Sequence, residues 1–480
     1  MTRRYMTGWS VAALVVLLAG PAFAEVQHVK VSGDINVKAI SKDNFDLRKT
    51  TSGTTTNDDK LQTYLQTTHV AVAADLTDNV SANVTLMNQR FWDTDNAASN
   101  DVDLALAYVT LKELVYSPLT VTVGRQDLNF GTGFIVSNAA LLRDPNGTFG
   151  AGASAAVTTV HGTQLQEFSM HNAYDALRLT LDYAPLTVDY VLAKIQERGE
   201  GGHDQDLMGV NLNWTGAPVE RWNGQAELYW FWKNDRVAGL VLGDSAGRTY
   251  DHNQVHTIGG RTALEVLKNF WVNAELAGQI GEVEDTALAA GQSAQTRDRM
   301  ALAAQASANY TFANTAWTPN LGLGWVYFSG EKNSGTSGGD TDDVNTWDQF
   351  YRGQGYGAIS DYFTGNDAGY GYYTTFDPND TDAGTNRHLL YVDVGAKPWS
   401  DLTLQARYLH AWFAEAPVSG RSKTAGDEVN VQAKWDYTED VQAGLLGAAF
   451  LPGTYYDGAA AATRGRNTAW EVIGDLTVKF

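Results

Sequence analysis

The chain has no cysteine, which excludes disulfide staples, thiolate metal centres and a lipidated N-terminal cysteine. Beyond the first two dozen residues it has no apolar run near the roughly 20 residues that a spanning helix needs, so an α-helical membrane protein is excluded. Positive charge is scarce: 34 basic residues stand against 55 acidic ones, for a net charge of −21. Nucleic acid, which demands a basic face, is excluded as a partner. Proline (10) and methionine (6) are few, whereas glycine (47), tyrosine (22) and tryptophan (14) are plentiful. That balance argues against the two or three soluble domains that length alone would suggest. His-Glu-x-x-His does not occur, and Gly-x-Ser-x-Gly occurs only at Gly243 to Gly247 and at Gly335 to Gly339, inside expected long loops rather than at the strand-to-helix turn a nucleophile elbow needs. His161, His171, His203, His252, His256 and His388 fall in or beside expected loops, where a hydrolase dyad could be assembled. With no catalytic motif in the setting its chemistry needs, the expectation is no enzyme and no cofactor.

The N-terminus reads as an export signal. Arg3 and Arg4 precede a short apolar stretch, Val11 to Ala19, then Pro21 and Ala22-Phe23-Ala24. This pattern predicts cleavage after Ala24 and a mature domain over 25–480.

What remains is period-two alternation. Val29, Val31, Ile35 and Val37 alternate with Lys30, Ser32, Asp34, Asn36 and Lys38. Ala226, Leu228, Trp230 and Trp232 share a face opposite Gln225, Glu227 and Tyr229. The same holds over 402–412 and 429–437. At the end Trp470, Val472, Leu476, Val478 and Phe480 oppose Glu471, Asp475, Thr477 and Lys479. Tyr and Trp gather toward the ends of the apolar faces, as an interfacial girdle requires. The expected fold is all-β: a closed transmembrane antiparallel barrel of about 18 strands, with short periplasmic turns and long extracellular loops. Nineteen segments alternate, one more than an even-stranded barrel allows, and 160–170 alternates most weakly. The expected location is the outer membrane. Its lipid and lipopolysaccharide, together with the barrel-assembly machinery reading Phe480, are the expected partners of a monomer.

The longest insertion, 331–386, is expected as an outer or plug-like loop, since insertions of that size usually carry function. Much of the acid lies there, including Asp340, Asp342, Asp343, Asp348 and Asp361. Tyr351, Tyr356, Tyr362 and Phe363 are candidates for a lid that is either sugar-stacking or self-packed. Asp377 to Asp382 with Gly384 has the composition of a calcium loop without its spacing, so weak divalent binding at the acidic loops is the only metal expectation.

Residues 123–137, Val-Gly-Arg-Gln-Asp-Leu-Asn-Phe-Gly-Thr-Gly-Phe-Ile-Val-Ser, resemble the Gly-Arg-Gln strand and Gly-rich turn of the alginate-export family of outer-membrane barrels. Tyr174-Asp175-Ala176-Leu177-Arg178-Leu179 resembles a strand of that family. Gly426-Asp427-Glu428-Val429 with Phe450-Leu451-Pro452-Gly453 resembles its penultimate hairpin. The resemblance implies an 18-stranded barrel that passes a polysaccharide or another polar solute. A polyuronate path should be basic, yet the residues of polar parity here carry both signs.

The candidate substrate path is Arg125, Asp127, Asp175, Arg178, Glu227, Arg261, Arg407 and Lys434. These residues form either a charged constriction that steers solute or a network that fills the lumen. Arg125 and Asp127 share the parity of Val121 and Val123, a costly placement at mid-membrane. The expectation is a rim or inward position, with Arg125 pairing across the lumen. The function expected is passive passage of a polar solute. The alternatives are a plugged adhesion or surface-structural barrel and a membrane-embedded hydrolase.

Overall fold

Alternating side chains leave a strand apolar on one face and polar on the other, and strands of that kind can cross lipid only if every backbone group is paired. The computed structural model describes residues 28–44, 47, 60–92, 102–138, 173–196, 204–219, 222–236, 240–241, 249–286, 295–332, 343–361, 385–416, 420–457 and 467–480. The strands are β1 (His28–Asp43), β2 (Leu61–Thr77), β3 (Val80–Phe91), β4 (Asp103–Lys112), β5 (Leu119–Gln126), β6 (Tyr174–Tyr183), β7 (Leu186–Gln196), β8 (Gln205–Val219), β9 (Trp222–Asp235), β10 (Leu240–Val241), β11 (Thr249–Leu267), β12 (Phe270–Thr286), β13 (Gln295–Thr311), β14 (Asn320–Phe328), β15 (Asp343–Val344), β16 (Arg387–Trp399), β17 (Leu402–Phe413), β18 (Thr424–Asp436), β19 (Val441–Pro452) and β20 (Ala469–Lys479).

Eighteen of these form one closed antiparallel circuit. Each pairs with its neighbours in sequence, β9 pairs with β11, β14 pairs with β16, and β20 returns to β1. The other two are two-residue strands: β10 extends the β11 hairpin, and β15 lies parallel to Asp298 and Arg299 of β13. Segment 160–170 lies outside the described residues. Because β5 pairs directly with β6, the ladder closes without it, which removes the nineteenth segment.

The last residue extends the seam between β1 and β20. The Phe480 N–H donates to the Gly33 carbonyl at 2.9 Å, and the Gly33 N–H donates to the Phe480 carbonyl at 2.8 Å. The Phe480 ring lies over Gly33 so closely that a Cβ there would sit 2.7 Å from the ring. Only glycine fits.

The outer face carries exposed aliphatics such as Val31, Leu228, Ile258, Leu276 and Met300, bounded by two aromatic belts. At the long-loop end Trp325 stacks on Tyr327, and His388 stacks on Trp412. At the short-turn end Phe270, Tyr310 and Phe312 meet, as do Trp435 and Tyr437. From His388 to Trp399, β16 runs about 36 Å at roughly 3.3 Å per residue. A tilt of about 45° reduces this to about 26 Å, matching the apolar band of such barrels.

Candidate functional site

Alternation fixes which face a side chain takes but not what meets it there. Toward the short turns the inward residues are polar. Toward the long loops many are apolar: Phe231, Val255, Val326, Phe328, Leu389 and Leu409 all point inward and are buried. Two chain segments cover them. Residues 127–138, directly after β5, bring in Leu128, Phe130, Phe134, Ile135 and Val136. Residues 343–361 bring in Trp347, Phe350, Tyr351 and Tyr356, completing one apolar cluster. Phe130 packs on Phe231 at 5.2 Å between ring centres and Phe134 on Phe328 at 5.5 Å. Burial of each such side chain is worth about 1.5–3 kcal/mol, which draws both segments inward.

The segments also hold each other. Val136 forms a parallel bridge with Tyr351. The Ser137 N–H donates to the Tyr351 carbonyl, and the Tyr351 N–H to the Ile135 carbonyl, both at 3.0 Å. Gly131, at φ +57°, approaches the wall so closely that a Cβ would sit 3.1 Å from the Glu227 carboxylate.

Buried charges fix the second segment to the wall. Lys233 Nζ lies 2.6 Å from both oxygens of Asp348. Asn253 donates to the same carboxylate at 3.2 Å, and Gln279 exchanges hydrogen bonds with the Asp348 backbone. Arg299 donates to the Thr346 carbonyl at 2.6 Å. Burial disfavours the charged form of Asp348, but Lys233 and then Arg299, with the hydrogen bonds from Lys233 and the Phe350 N–H, hold its carboxyl below the usual range. Across the lumen Glu428 accepts the backbone N–H groups of Ala358, Ile359 and Ser360 at 2.6, 3.1 and 2.7 Å. Arg387 donates to the Ser360 carbonyl at 3.0 Å. The result is a strap across the barrel.

The expected path residues divide into groups. Arg178 bonds Asp189 at 2.8 Å and lies over the Phe130 ring. Arg261 bonds Glu227 at 2.7 Å. Arg407 grips Asp393 through two nitrogens, at 2.6 and 2.8 Å, and donates to the Tyr356 carbonyl at 2.7 Å. All three arginines face the lumen and touch, or flank, the inward segments. Asp127 begins the first segment, on the chain beside buried Leu128. Lys434 is an exposed inward residue near the short-turn end. Arg125 and Asp175 are not across the lumen. They pair with each other at 3.5 Å on adjacent strands, on the outward face shared with exposed Val123. Both sit at the strand ends, beyond the apolar band, where Lys194 joins Asp204 and Asp206 at 2.8 Å on the same face. That rim position avoids the cost of charge in lipid.

Tyr351 and Tyr356 lie deep in the lumen rather than over its mouth, because their rings complete the apolar cluster. Tyr362 and Phe363 lie outside the described residues, as does the calcium-like stretch 377–384. Asp348 and Asp361, expected among the outer-loop acids, are lumen residues instead. Among the described residues no group of three or more His, Asp or Glu could hold a metal. The inward course of 127–138 is not given by alternation. Its signal is an apolar run, Phe134-Ile135-Val136, set among glycines where a solvated loop would be polar. On the short-turn side of the strap, β13, β14 and β16–β19 enclose a cavity of about 410 Å³ beneath Tyr356 and Ala358.

Comparison with known proteins meets this geometry at its N-terminal side. Residues 29–162 match the alginate-export family. The match takes in β1 to β5 and the first inward segment. The barrel is similar in fold to those of solved Pseudomonas proteins. Pseudomonas aeruginosa OccK11 (OpdR) aligns with a TM-score of 0.51 at 11% identity, covering 95% of this chain and 96% of that one. Pseudomonas aeruginosa OccK2 (OpdF), in complex with glucuronate, aligns at 0.50 and 12%, covering 95% and 98%. A BenF-like porin from Pseudomonas fluorescens Pf-5 aligns at 0.50 and 10%, covering 95% and 99%. At such identities the likeness is one of fold. No curated protein matches the chain.

Proposed function

We infer that the chain is an outer-membrane channel through which a small polar solute diffuses passively, with the two inward segments setting the aperture. The observation that carries this reading is the strap itself: a segment fixed at Asp348 on one wall and at Glu428 on the other, above a polar cavity. A strap narrows a lumen and selects by size and polarity. The likeness to porins supports the same reading, as does the alginate-export match. A polyuronate is a poorer fit than a small solute. Arg178, Arg261 and Arg407 each sit on a carboxylate, so these cations offer a polyanion no net charge. No covalent step enters this reading.

The test is the mature chain, refolded and inserted into a planar lipid bilayer. Stepwise single-channel currents, together with liposome swelling by small sugars, are expected. A folded barrel with no conductance at any voltage would leave the plugged, surface-structural alternative.

A further inference from the structure

The cavity beneath the strap has an unusual lining. Its polar side chains are mostly carboxamides: Asn309, Asn320, Gln405, Asn430 and Gln432. Its two charged members, Arg407 and Asp393, neutralise each other, and every guanidinium nitrogen is engaged, by Asp393 or by the Tyr356 carbonyl. Gly322 and Gly395 face inward where Asn309 and Asn320 lie across them. An added Cβ would come within 2.4 Å of Asn309 and 2.6 Å of Asn320. The backbone is thus cleared for these amides.

One amide is left wanting. Asn430 is only 9% exposed, and its Oδ1 has no hydrogen-bond partner among the described residues. A buried acceptor without a donor is costly. A hydroxyl group entering the cavity would supply that donor. A carboxamide both donates and accepts, which is also the capacity of a hydroxyl group. A carboxylate ligand would find no free cation in this lining, and an ammonium no free carboxylate. Tyr356 and Leu446 add apolar surface suited to the C–H face of a ring. The volume falls in the range of about 300–1,000 Å³ typical of small-molecule sites.

We propose that this carboxamide-lined cavity is a binding subsite for an uncharged, hydroxyl-rich ring of monosaccharide size, with a ligand hydroxyl donating to Asn430 Oδ1. The proposal rests on the channel reading and narrows it, assigning a neutral sugar as the solute class that pauses beneath the strap.

The experiment uses the whole barrel in planar bilayers with glucose, glucuronate and glucosamine as separate blockers of the open-channel current. Glucose is expected to block at the lowest concentration. Asn430→Leu should weaken glucose block about tenfold, the loss of one hydrogen bond at a buried acceptor. Gln432→Ala should shift it in the same direction, should the first variant fail to fold. Asp393→Asn frees the charge of Arg407 and should move the preference toward glucuronate. Equal block by all three solutes, stronger block by glucuronate in the unmodified barrel, or block untouched by both amide variants would overturn the proposal. Equilibrium dialysis of labelled glucose against the folded barrel in detergent reads the same cavity without conduction. Binding there without channel current would sink the channel reading alone, whereas current without glucose binding would sink the subsite alone.

Discussion

Lys233 and Asp348 form a buried ion pair at 2.6 Å, joining a strand to the strap. Removing one partner of such a pair strands the other charge, at a cost of about 3–5 kcal/mol. Lys233→Met should therefore loosen the strap while leaving the ladder intact, and single-channel recording should show larger, noisier currents. The pH response follows from the depressed pKa of Asp348. A carboxylate whose docked pKa is lowered contributes its stabilisation fully above its undocked value of about 3.9, and loses it as pH falls through the lower docked value. Conductance of the unmodified barrel should stay level from neutral pH to about pH 5 and rise only in stronger acid. Without Lys233, burial acts against the Asp348 charge with less opposition, so in Lys233→Met the rise should begin at higher pH. A rise that began at the same pH in both proteins would place the sensor elsewhere. Gly131 makes a separate prediction: at φ +57° and 3.1 Å from Glu227, a branched side chain is excluded. Gly131→Val should displace the first segment and raise conductance, read in the same recordings.

At the level of elements, ladder and strap are held by different forces. The ladder is backbone pairing around a closed circuit, while the strap is held by an apolar cluster and a few charged contacts. Replacing residues 345–358 by a short Gly-Ser linker should leave a folded barrel, still migrating faster on gels before heating than after, with several-fold higher conductance. A barrel that failed to fold would make the strap part of the scaffold. The same division explains what could be read from the sequence. Each stave alternates because lipid lies on one side and the lumen on the other, so the alternating segment 402–412 falls on β17, and all but the last residue of 429–437 on β18. The polar-parity arginines 178, 261 and 407 were legible for the same reason. The strap contacts were not. Lys233 and Asp348 lie 115 residues apart, and no local pattern joins them. Phe231 and Phe328 occupy positions where alternation alone predicts a polar lumen, because a period of two cannot register a second segment packed inside. Arg125 looked misplaced because its parity matched the lipid face. It does lie on that face, at a height the sequence does not give.

For the molecule as a whole the decisive contact is the seam between its ends. Every other strand is joined to a neighbour by a turn or loop, whereas β1 and β20 meet through pairing alone, from Asp34 opposite Lys479 to Asp43 opposite Trp470. Beyond that register the Phe480 and Gly33 backbones exchange two hydrogen bonds under the Phe480 ring, and at the other end Asn44 Nδ2 donates to the Thr468 carbonyl at 2.9 Å. An open seam would expose edge N–H and carbonyl groups to lipid, each at a cost of several kcal/mol, so the seam should close last and fail first. Two substitutions probe it differently. Gly33→Val presses on both the ring and the His69 carbonyl, which an added Cβ would approach to 2.7 and 2.4 Å, while deletion of Phe480 removes ring and hydrogen bonds together. Both should lower the urea concentration at which the barrel unfolds from lipid vesicles, followed by tryptophan fluorescence. The deletion should lower it more, because it also removes two hydrogen bonds worth about 0.5–1.5 kcal/mol each. Gly474→Ala offers the contrast: this seam glycine has room for a methyl group, the nearest atom to an added Cβ being Ala39 at 4.0 Å, and its midpoint should be unchanged. If Gly33→Val unfolded at the same urea concentration as the unmodified barrel, the terminal aromatic would have no part in holding the seam.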